Sequence, residues 1–437
     1  MWAVLMMVLT AKQEQSTTPE LSMPVSNMKD AKVAYIMSAF PALTETFILY
    51  EILMMEQLGV TIEVFPLRRL REGVVHPEVA QLAGKVHFLP YISFSIFWAQ
   101  LHFILHRPLA YLKVLLEILG GTFGSANFFF GALAIFPKAV RFAYDMECQK
   151  IRHIHAHFAT HPTVAALIIH RLTGIPFSFT AHGSDLHVDR RMLDKKVEAA
   201  AFALTISSFN KEIMVRECGE ASRDKIRIIH CGVDPEVFSY HPRTDYDEPF
   251  QILSVAAFKD VKGHKYLVEA CRILREQGVD FVCHLVGEGP LWTSVEAQIA
   301  EAGLQDQIIL HGACPQGEIV RMLSEADVLA LASVPTQQGK REGIPVVLME
   351  AMASGLPVVA SALSGIPELV EDGRSGILVP PRDSHALANA LRWLREDSAL
   401  RQRMGQAGRA KVIQEFNLSA NTAERARLFL GGIPEVS

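Results

Sequence analysis

Two glutamates, Glu342 and Glu350, flank an apolar segment in the second half of the chain. The segment is predicted to form a helix over residues 345–354, because Pro345 suits a first helical turn and Gly355 a helix end. Glu342 then precedes the helix, and Glu350 lies about one and a half turns inside it. Glutamates are rarely buried without partners, so this pair suggests a binding site.

The predicted helix N-terminus between these carboxylates suits an anion, because its free N–H groups and the positive end of its dipole point outward. A diphosphate bound there would have one carboxylate on each side. One acid would bind hexose hydroxyls and the other ribose hydroxyls, which together describes a nucleotide sugar. The spacing fits equally well a solvated loop glutamate and a helix glutamate paired with a lysine.

Short β-branched segments alternate with amphipathic helical segments, a pattern typical of parallel sheets with helices on both faces. The strands predicted in the first half are 32–37, 61–65, 86–89, 153–158, 177–181, 203–206 and 226–230. The strands predicted in the second half are 251–257, 281–286, 308–311, 327–331, 357–360 and 376–379. The predicted fold class is α/β, with two facing, doubly wound, Rossmann-like domains and a cleft between them.

The two series of strands are separated by a polar segment at 230–250 that is rich in proline, as expected of a hinge. The predicted organisation has four parts. They are a disordered N-terminal extension (1–30), an N-terminal Rossmann-like domain (31–235), a C-terminal Rossmann-like domain that carries the predicted nucleotide-sugar site (236–415), and a C-terminal helix and tail (416–437).

Composition narrows the functional class. The chain has 437 residues and a net charge of -5, which argues against nucleic acid as a partner. Its six cysteines have no C-x-x-C spacing, so they fit a reducing compartment better than a disulfide framework. The apolar start, MWAVLMMVLT, is too short for a membrane span and lacks the basic leader of a signal peptide.

An apolar segment interrupts the alternation of strands and helices. No Asp, Glu, Lys or Arg occurs between Val86 and His106, or between Ile118 and Pro137. Prolines and glycines within both stretches argue against a transmembrane helix. We predict an apolar helical insertion at about 90–147, which is either buried or dips into the membrane interface. The flanking basic residues that would suit anionic lipid headgroups are Arg107, Lys113, Lys138 and Arg141.

A longer pattern surrounds the two glutamates. E-G-x-P-x-x-x-x-E-A-M-A-x-G-x-P-V-V-A-S begins at Glu342, and SGIPELVEDGRSGILVPP follows at 364–381. This segment closely resembles the family-4 retaining glycosyltransferases of the GT-B fold. Three further segments resemble the family's phosphate-binding K-G segment, its G-x-G-P turn and its interdomain linker: VKGHKYLVEA (261–270), LVGEGPL (285–291) and CGVD (231–234). Segments of the first half resemble members that make bacterial exopolysaccharides such as colanic acid: AFPALTETFILYEI (39–52), HAHFATHP (155–162) and FTAHGSDLH (179–187).

The resemblance implies roles for individual residues. Lys262 would bind phosphate and Glu350 ribose, while Glu342 and the backbone of Gly343 and Ile344 would hold the hexose. His182 would lie close to the transferred sugar, so that His182 and Glu342 are the predicted catalytic residues. His182 follows a predicted strand, where open parallel sheets place their ligands, although a lone histidine there is more often structural. The first domain (31–235) would then be the acceptor domain, and the predicted acceptor-side residues are Thr44, Glu45 and Thr46.

A metal is not expected. Histidines at 153, 155 and 157 would share one strand face, yet with His161 they match no structural zinc pattern. The D-x-D sequence at 245–247 lies in the interdomain segment, where a solvated turn is the better interpretation. We therefore predict no cofactor and no metal.

The chain departs from the family where an arginine usually precedes the phosphate-binding lysine. Ala257 stands at that position. We predict that Lys259 replaces the arginine, since an extended chain would project it to the same side as residue 257. The alternative is a solvated loop lysine beside Asp260. A glycine-rich turn after the first strand is also absent, and FPALTETF (40–47) replaces it.

Together these features predict an enzyme that moves a hexose from a UDP or GDP sugar to a glycan or lipid-linked acceptor, with retention of configuration. We expect it in exopolysaccharide or cell-surface glycan synthesis, in the cytoplasm, with peripheral contact to the inner face of the cytoplasmic membrane. The alternatives are a sugar-nucleotide epimerase and a non-catalytic sugar-nucleotide-binding protein of a membrane assembly.

Overall fold

The structure is a computed structural model that describes residues 32–41, 46–70, 77–82, 84–239 and 249–431. The described strands form two separate sheets of six strands each. Every strand pairing within them is parallel. The predicted α/β class is therefore confirmed. The extension at 1–30 lies outside the described residues.

The first sheet has the order β2-β1-β3-β4-β5-β6. Its strands are β1 (Lys32–Phe40), β2 (Thr61–Arg69), β3 (His153–His157), β4 (Phe177–Ala181), β5 (Phe202–Thr205) and β6 (Ile226–Ile228). The chain direction across the sheet reverses between β1 and β3, which is where doubly wound sheets bind ligands. The predicted strand at 86–89 is wrong: Val86 makes a single parallel bridge to Val64, and the chain then leaves the sheet.

The helices of the first domain cover both faces of this sheet. They are α1 (Thr46–Gln57), α2 (Phe94–His106), α3 (Pro108–Thr122), α4 (Ala126–Cys148), α5 (His161–Thr173), α6 (Ser184–His187), α7 (Leu193–Ala199) and α8 (Ser208–Cys218). Short 3-10 helices occur at Pro77–Leu82 and Glu220–Ser222. Helices α2, α3 and α4 occupy the apolar segment, and their buried residues join one core with α5.

Helix α4 is long and apolar enough to cross a membrane by length and composition, and it is the one such helix among the described residues. Half of its most apolar window is buried in the protein. It also contains Pro137, and Lys138 within it is buried, where its ammonium group donates to the carbonyl of Leu67 at 2.8 Å. These contacts are those of a core helix.

The second sheet has the order β12-β11-β10-β7-β8-β9, which is the strand order of a dinucleotide-binding Rossmann fold. Its strands are β7 (Phe250–Val255), β8 (Phe281–Val286), β9 (Ile308–Gly312), β10 (Val328–Leu331), β11 (Val358–Ser361) and β12 (Ile377–Val379). The remaining helices are α9 (His264–Glu276), α10 (Trp292–Glu301), α11 (Gln316–Glu325), α12 (Val346–Ala353), α13 (Ile366–Leu369), α14 (Ser384–Glu396), α15 (Ser398–Glu415) and α16 (Leu418–Gly431). A 3-10 helix covers Asp260–Lys262.

The chain crosses between the domains twice, and the two crossings pair with each other. The Val233 N–H donates to the carbonyl of Phe416, and the Leu418 N–H donates to the carbonyl of Val233, each at 3.0 Å. A Cβ on Gly232 would lie 2.5 Å from the nitrogen of Leu418, so the pairing requires glycine there. After this crossing α16 packs against α1, and Phe429 enters the core of the first domain.

Candidate functional site

The two domains meet through backbone at the carboxyl ends of their sheets. A Cβ on Gly343 would lie 2.4 Å from the carbonyl oxygen of His182, and a Cβ on Gly183 would lie 3.1 Å from the Cα of Gly343. Real Cβ atoms do not approach that closely to backbone oxygen, so position 343 requires glycine in this arrangement. The contact brings the predicted His182 and the predicted hexose-binding loop to one place.

Lys262 and Glu342, which are predicted to bind phosphate and hexose, form an ion pair with each other. Their Nζ and Oε2 atoms are 2.8 Å apart, and the side chains are 19% and 13% exposed. Gly263 fixes the turn that carries Lys262: its φ is +67°, and a Cβ there would lie 1.9 Å from the carbonyl oxygen of Ala332. An ammonium group has three N–H donors, so Lys262 can hold Glu342 and still offer donors to a phosphate.

The N-terminus of α12 lies directly after this ion pair along the chain. Pro345 is the N-cap of the helix, one position earlier than the predicted first turn. Glu350 lies in the second turn, where burial raises the pKa of its carboxyl to about 7. Tyr50 of α1 faces this region from the first domain: its hydroxyl donates to Oε1 of Gln316 at 2.5 Å. Burial raises the pKa of Tyr50, and the nearby carboxyl of Glu350 adds to the rise.

His182 is buried between aromatic rings. Its ring centroid lies 4.8 Å from that of Phe47 and 4.8 Å from that of Phe158. Its Nε2 is 3.2 Å from Nδ1 of His157, and its Nδ1 is 3.9 Å from Sγ of Cys231. Burial, with the charges of His157 and Arg425, lowers the pKa of His182 well below its usual range. The imidazole is therefore neutral at pH 7, and it can contribute shape and hydrogen bonding but not a positive charge.

A buried polar network contacts His182 through His157. Glu51 of α1 accepts from the Tyr35 hydroxyl at 2.7 Å, and its Oε2 pairs with Arg425 of α16 at 2.6 Å. Its Oε1 lies 3.6 Å from Nε2 of His157. Burial raises the pKa of Glu51, and the guanidinium of Arg425 opposes this rise. The C-terminal helix thus reaches His182 through two intermediate side chains.

Glu51, His155 and His157 also form a group whose ligand atoms lie within 4.8 Å of one another. The donor chemistry fits a metal poorly, because Arg425 already pairs with the carboxylate. The two ring nitrogens of His155 are likewise engaged, with the Ser178 hydroxyl at 2.8 Å and the Thr180 hydroxyl at 2.9 Å.

Asp185 fixes the loop that carries His182. One of its oxygens accepts from the N–H groups of His182 and Gly183, at 3.0 and 2.8 Å. The other accepts from the N–H of Ala159 at 2.6 Å, so a single carboxylate joins the loops after β3 and β4.

A second carboxylate ties the domains together. Glu368 of α13 accepts from the N–H groups of Ser208 and Phe209, at 2.7 and 2.9 Å, and so caps α8 of the first domain. Beside it, a Cβ on Gly365 would lie 2.8 Å from the side chain of Ile344, which is buried in this contact. Ile344 is thus placed by packing, and its backbone remains beside Gly343.

Lys259 is exposed, and no ion pair or hydrogen bond of its side chain occurs among the described residues. Strand β7 ends at Val255, two residues earlier than predicted. The Lys259 N–H then donates to the carbonyl of Ala257 at 2.7 Å, which closes a tight turn at Phe258. The prediction that the chain stays extended from residue 257 to Lys259 is therefore wrong, while the phosphate-binding role of Lys259 stays a prediction.

Among the predicted acceptor-side residues, Thr44 and Glu45 lie outside the described residues. Thr46 begins α1 and is partly buried. The next residue, Phe47, contacts His182, so the start of α1 adjoins the cleft.

Several residues of the site carried no recognised signal in the sequence. Asp185 could have been found, because a short acid three residues after His182 commonly accepts from backbone N–H groups in a turn. The pairing of Glu51 with Arg425 could not, since 374 positions separate the two residues and Arg425 belongs to no motif.

Two family models match the chain. The model for "Glycosyl transferases group 1" matches residues 241–411, and that for "Glycosyltransferase Family 4" matches residues 112–237. Together the matches span more than half of the chain.

Curated relatives carry related names. Over 194 residues the chain is 45% identical to the amylovoran biosynthesis glycosyltransferase AmsK of Erwinia amylovora, a match of 44% of this chain and 48% of the relative. Over 207 residues it is 42% identical to WcaL of Escherichia coli, named for colanic acid biosynthesis, covering 47% and 51%. These alignments span about half the length of each relative.

Solved structures share the fold over nearly the whole chain. A glycosyltransferase from Rickettsia africae superposes with a TM-score of 0.69 at 18% identity, covering 93% of this chain and all of that one. HepE of Anabaena, in complex with UDP, superposes with a TM-score of 0.67 at 17% identity, covering 92% of this chain and 100% of HepE. Residues 112–237 are therefore a glycosyltransferase family 4 domain and residues 241–411 a glycosyl transferases group 1 domain, on two facing Rossmann-like domains that share the fold of these solved glycosyltransferases.

Proposed function

We propose that this protein transfers a hexose from a UDP or GDP sugar to a glycan or lipid-linked acceptor, with retention of the anomeric configuration. The observation that carries the proposal is the convergence of Lys262, Glu342 and Gly343 with His182 at one contact between the domains. The names of AmsK and WcaL support a role in exopolysaccharide synthesis. The UDP complex of HepE supports a nucleotide-sugar donor.

In the proposed reaction the bond between the anomeric carbon and the diphosphate oxygen breaks, and the electron pair leaves with the diphosphate. Lys262 and the N-terminus of α12 stabilise the departing charge. The acceptor hydroxyl forms the new bond on the same face of the sugar, and its proton passes to the departing phosphate oxygen. Glu342 orients the hexose. His182, being neutral, positions the sugar without adding charge.

The ion pair between Lys262 and Glu342 couples the two halves of donor recognition. Glu342 keeps one Lys262 donor aimed at the hexose side, and the remaining donors face the phosphate. A donor that misplaces its hexose would disturb the lysine that holds the leaving group. Through this coupling, Lys262 stabilises the charge on the departing diphosphate fully only when the hexose is bound correctly. Binding energy from the hexose then raises the rate of transfer.

We further propose that the reaction is independent of metal and occurs in the cytoplasm, at the inner face of the cytoplasmic membrane. The poor fit of the Glu51 group to a cation supports the first point. The exposed apolar side chains of the insertion support the second: of nineteen exposed large hydrophobic residues among those described, fourteen lie between Phe88 and Leu133. The relatives reported above are named as glycosyltransferases, which gives the epimerase and non-catalytic alternatives no support.

The test is a donor panel of UDP-glucose, UDP-galactose, GDP-mannose and GDP-fucose, read out as free nucleoside diphosphate with and without a lipid-linked acceptor. We expect release from one donor above all, accelerated by acceptor and unchanged by EDTA. Loss of activity in EDTA that manganese restores would contradict the metal-free proposal. Tight donor binding with no turnover across all acceptors would contradict transferase activity.

A further inference from the structure

A buried amide lies at the contact between the domains. Asn210 is in the first turn of α8, and its side chain is fully buried. Neither its Oδ1 nor its Nδ2 has a hydrogen-bond partner among the described residues. A buried polar group without a partner destabilises the folded protein, because it has lost its hydrogen bonds to water. Such a group in a native protein therefore calls for an explanation, such as a bound water or ligand.

The position of the amide indicates what it meets. Its Nδ2 lies 3.5 Å from the point that a Cβ on Gly183 would occupy, and that same point lies 3.1 Å from the Cα of Gly343. Asn210 therefore adjoins the place where the His182 loop meets the predicted hexose-binding loop. It belongs to the first domain, whereas Lys262, Glu342 and Glu350 belong to the second.

The backbone around Asn210 is already fixed. Its N–H donates to the Ser207 hydroxyl at 3.1 Å, and the two preceding N–H groups donate to Glu368. The N-terminus of α8 is thus saturated by protein groups, and the side-chain amide is the part of this turn left to interact with something else.

We propose that Asn210 binds hydroxyl groups of the transferred hexose, so that both domains hold the donor sugar at once. This inference rests on the function proposed above. An amide offers a donor and an acceptor side by side, which suits neighbouring sugar hydroxyls. A site that pairs a hydroxyl in this way discriminates strongly against a sugar that lacks or misplaces it. Asn210 would therefore help to select the sugar, while the second domain selects the nucleotide.

The experiment compares Asn210→Ala and the isosteric Asn210→Asp with the wild-type protein. Calorimetry measures the affinity for the nucleoside diphosphate alone and for the preferred intact nucleotide sugar. Steady-state kinetics measure kcat/KM for an epimeric pair, UDP-glucose and UDP-galactose or the corresponding GDP sugars. We expect unchanged affinity for the nucleoside diphosphate, a tenfold or greater fall in kcat/KM for the preferred sugar, and a smaller ratio between the epimers.

Gln307→Ala is the matched control. The side-chain oxygen of Gln307 is also buried without a partner among the described residues, but the residue precedes β9, at the end of the sheet opposite the cleft. We expect wild-type kinetics for it. Unchanged kinetics in both Asn210 variants, or equal losses of affinity for diphosphate and for sugar donor, would overturn the inference. A wild-type protein that binds nucleoside diphosphate but neither donor of the pair would overturn the proposed function, and this inference with it.

Discussion

The carboxyl group of Glu350 illustrates how burial and function oppose each other in one residue. Burial raises its pKa to about 7, so its charged form is penalised in the folded protein. Its contribution to stability is therefore complete below the unfolded pKa of about 4.3 and falls as the pH rises to about 7. Ribose hydroxyls donate hydrogen bonds to the ionised form, so donor binding should have the opposite pH dependence.

We accordingly predict that donor affinity rises from about pH 6 to about pH 8 in the wild-type protein. Glu350→Gln should remove this pH dependence and lower the affinity for the donor about tenfold at the higher pH. A loss of this size is expected when a hydrogen bond to a charged group is lost. Calorimetry with an intact nucleotide sugar is the suitable measurement, because its diphosphate lacks the phosphate ionisation near pH 6. A pH-independent wild-type affinity would refute the assigned role of Glu350.

His182→Ala should instead retain donor affinity and slow transfer, because His182 lies at the predicted reacting centre.

Lys259 and Lys262 are predicted to bind the same diphosphate. Lys259→Ala and Lys262→Ala should each lower kcat/KM for the donor by roughly 30-fold or more, as is typical when one partner of a close, desolvated charge pair is removed. Restoration of activity by Ala257→Arg in the Lys259→Ala background would show that the two positions share one task. Because of the turn at Phe258, the side chains of residues 257 and 259 are not placed as they would be on an extended strand, so restoration by Ala257→Arg is a strict test. Wild-type kinetics for Lys259→Ala would show that Lys259 is a solvated loop lysine.

At the scale of elements, the C-terminal helix α16 is held by a buried charge. Arg425→Ala would leave Glu51 buried without its cation, which should lower the free energy of unfolding by about 3–5 kcal/mol. Urea denaturation near neutral pH measures this loss. Arg427→Ala, on the exposed side of the same helix, is the control and should cost little. Equal, small effects of the two substitutions would show that the ion pair does not hold the helix.

Most of the strands can be predicted from the sequence, but the residues at which they begin and end are predicted less often. Strands such as 177–181 and 281–286 are predicted to the residue, because short segments with aromatic or β-branched residues are bounded there by Gly, Pro or polar residues. The segment 86–89 is also mostly apolar, yet it forms a single bridge to the edge strand β2 before the chain leaves the sheet towards α2. Strand pairing is a long-range property that local composition does not contain.

At the scale of the whole molecule, the contacts between domains were the least predictable part of the site. The motifs identified Lys262 and Glu342, yet their ion pair depends on tertiary structure across 80 positions. The approach of Gly343 to His182 joins the two domains and leaves no trace in the spacing of either motif. Asn210 and Glu368 belong to the same contact. Family resemblance supplied roles for single residues, and the fold supplied their neighbours.

The apolar surface of the insertion leads to a prediction about the whole molecule. Phe94 and Leu109 are 80% and 83% exposed, and the exposed Lys113 lies one turn after Leu109. Apolar side chains beside a basic residue suit the interface of an anionic membrane. Helix α4, the one described helix long enough to span a membrane, packs half of its most apolar window into the core of the first domain, so the contact should be peripheral. We therefore expect the protein to sediment with vesicles containing anionic lipid, to dissociate in high salt, and to be released by alkaline carbonate.

The double variant Phe94→Ser, Leu109→Ser should lose vesicle binding while keeping transfer to a water-soluble acceptor, because both side chains are exposed on helices of the insertion and neither is among the predicted site residues. Trp393→Ser is the matched control: Trp393 is about half exposed on α14 of the second domain, so its removal should leave vesicle binding unchanged. Protein that stays in the pellet after carbonate would point to a true membrane span. Concentration-dependent self-association without vesicle binding would instead assign the apolar surface to contact between copies of the chain.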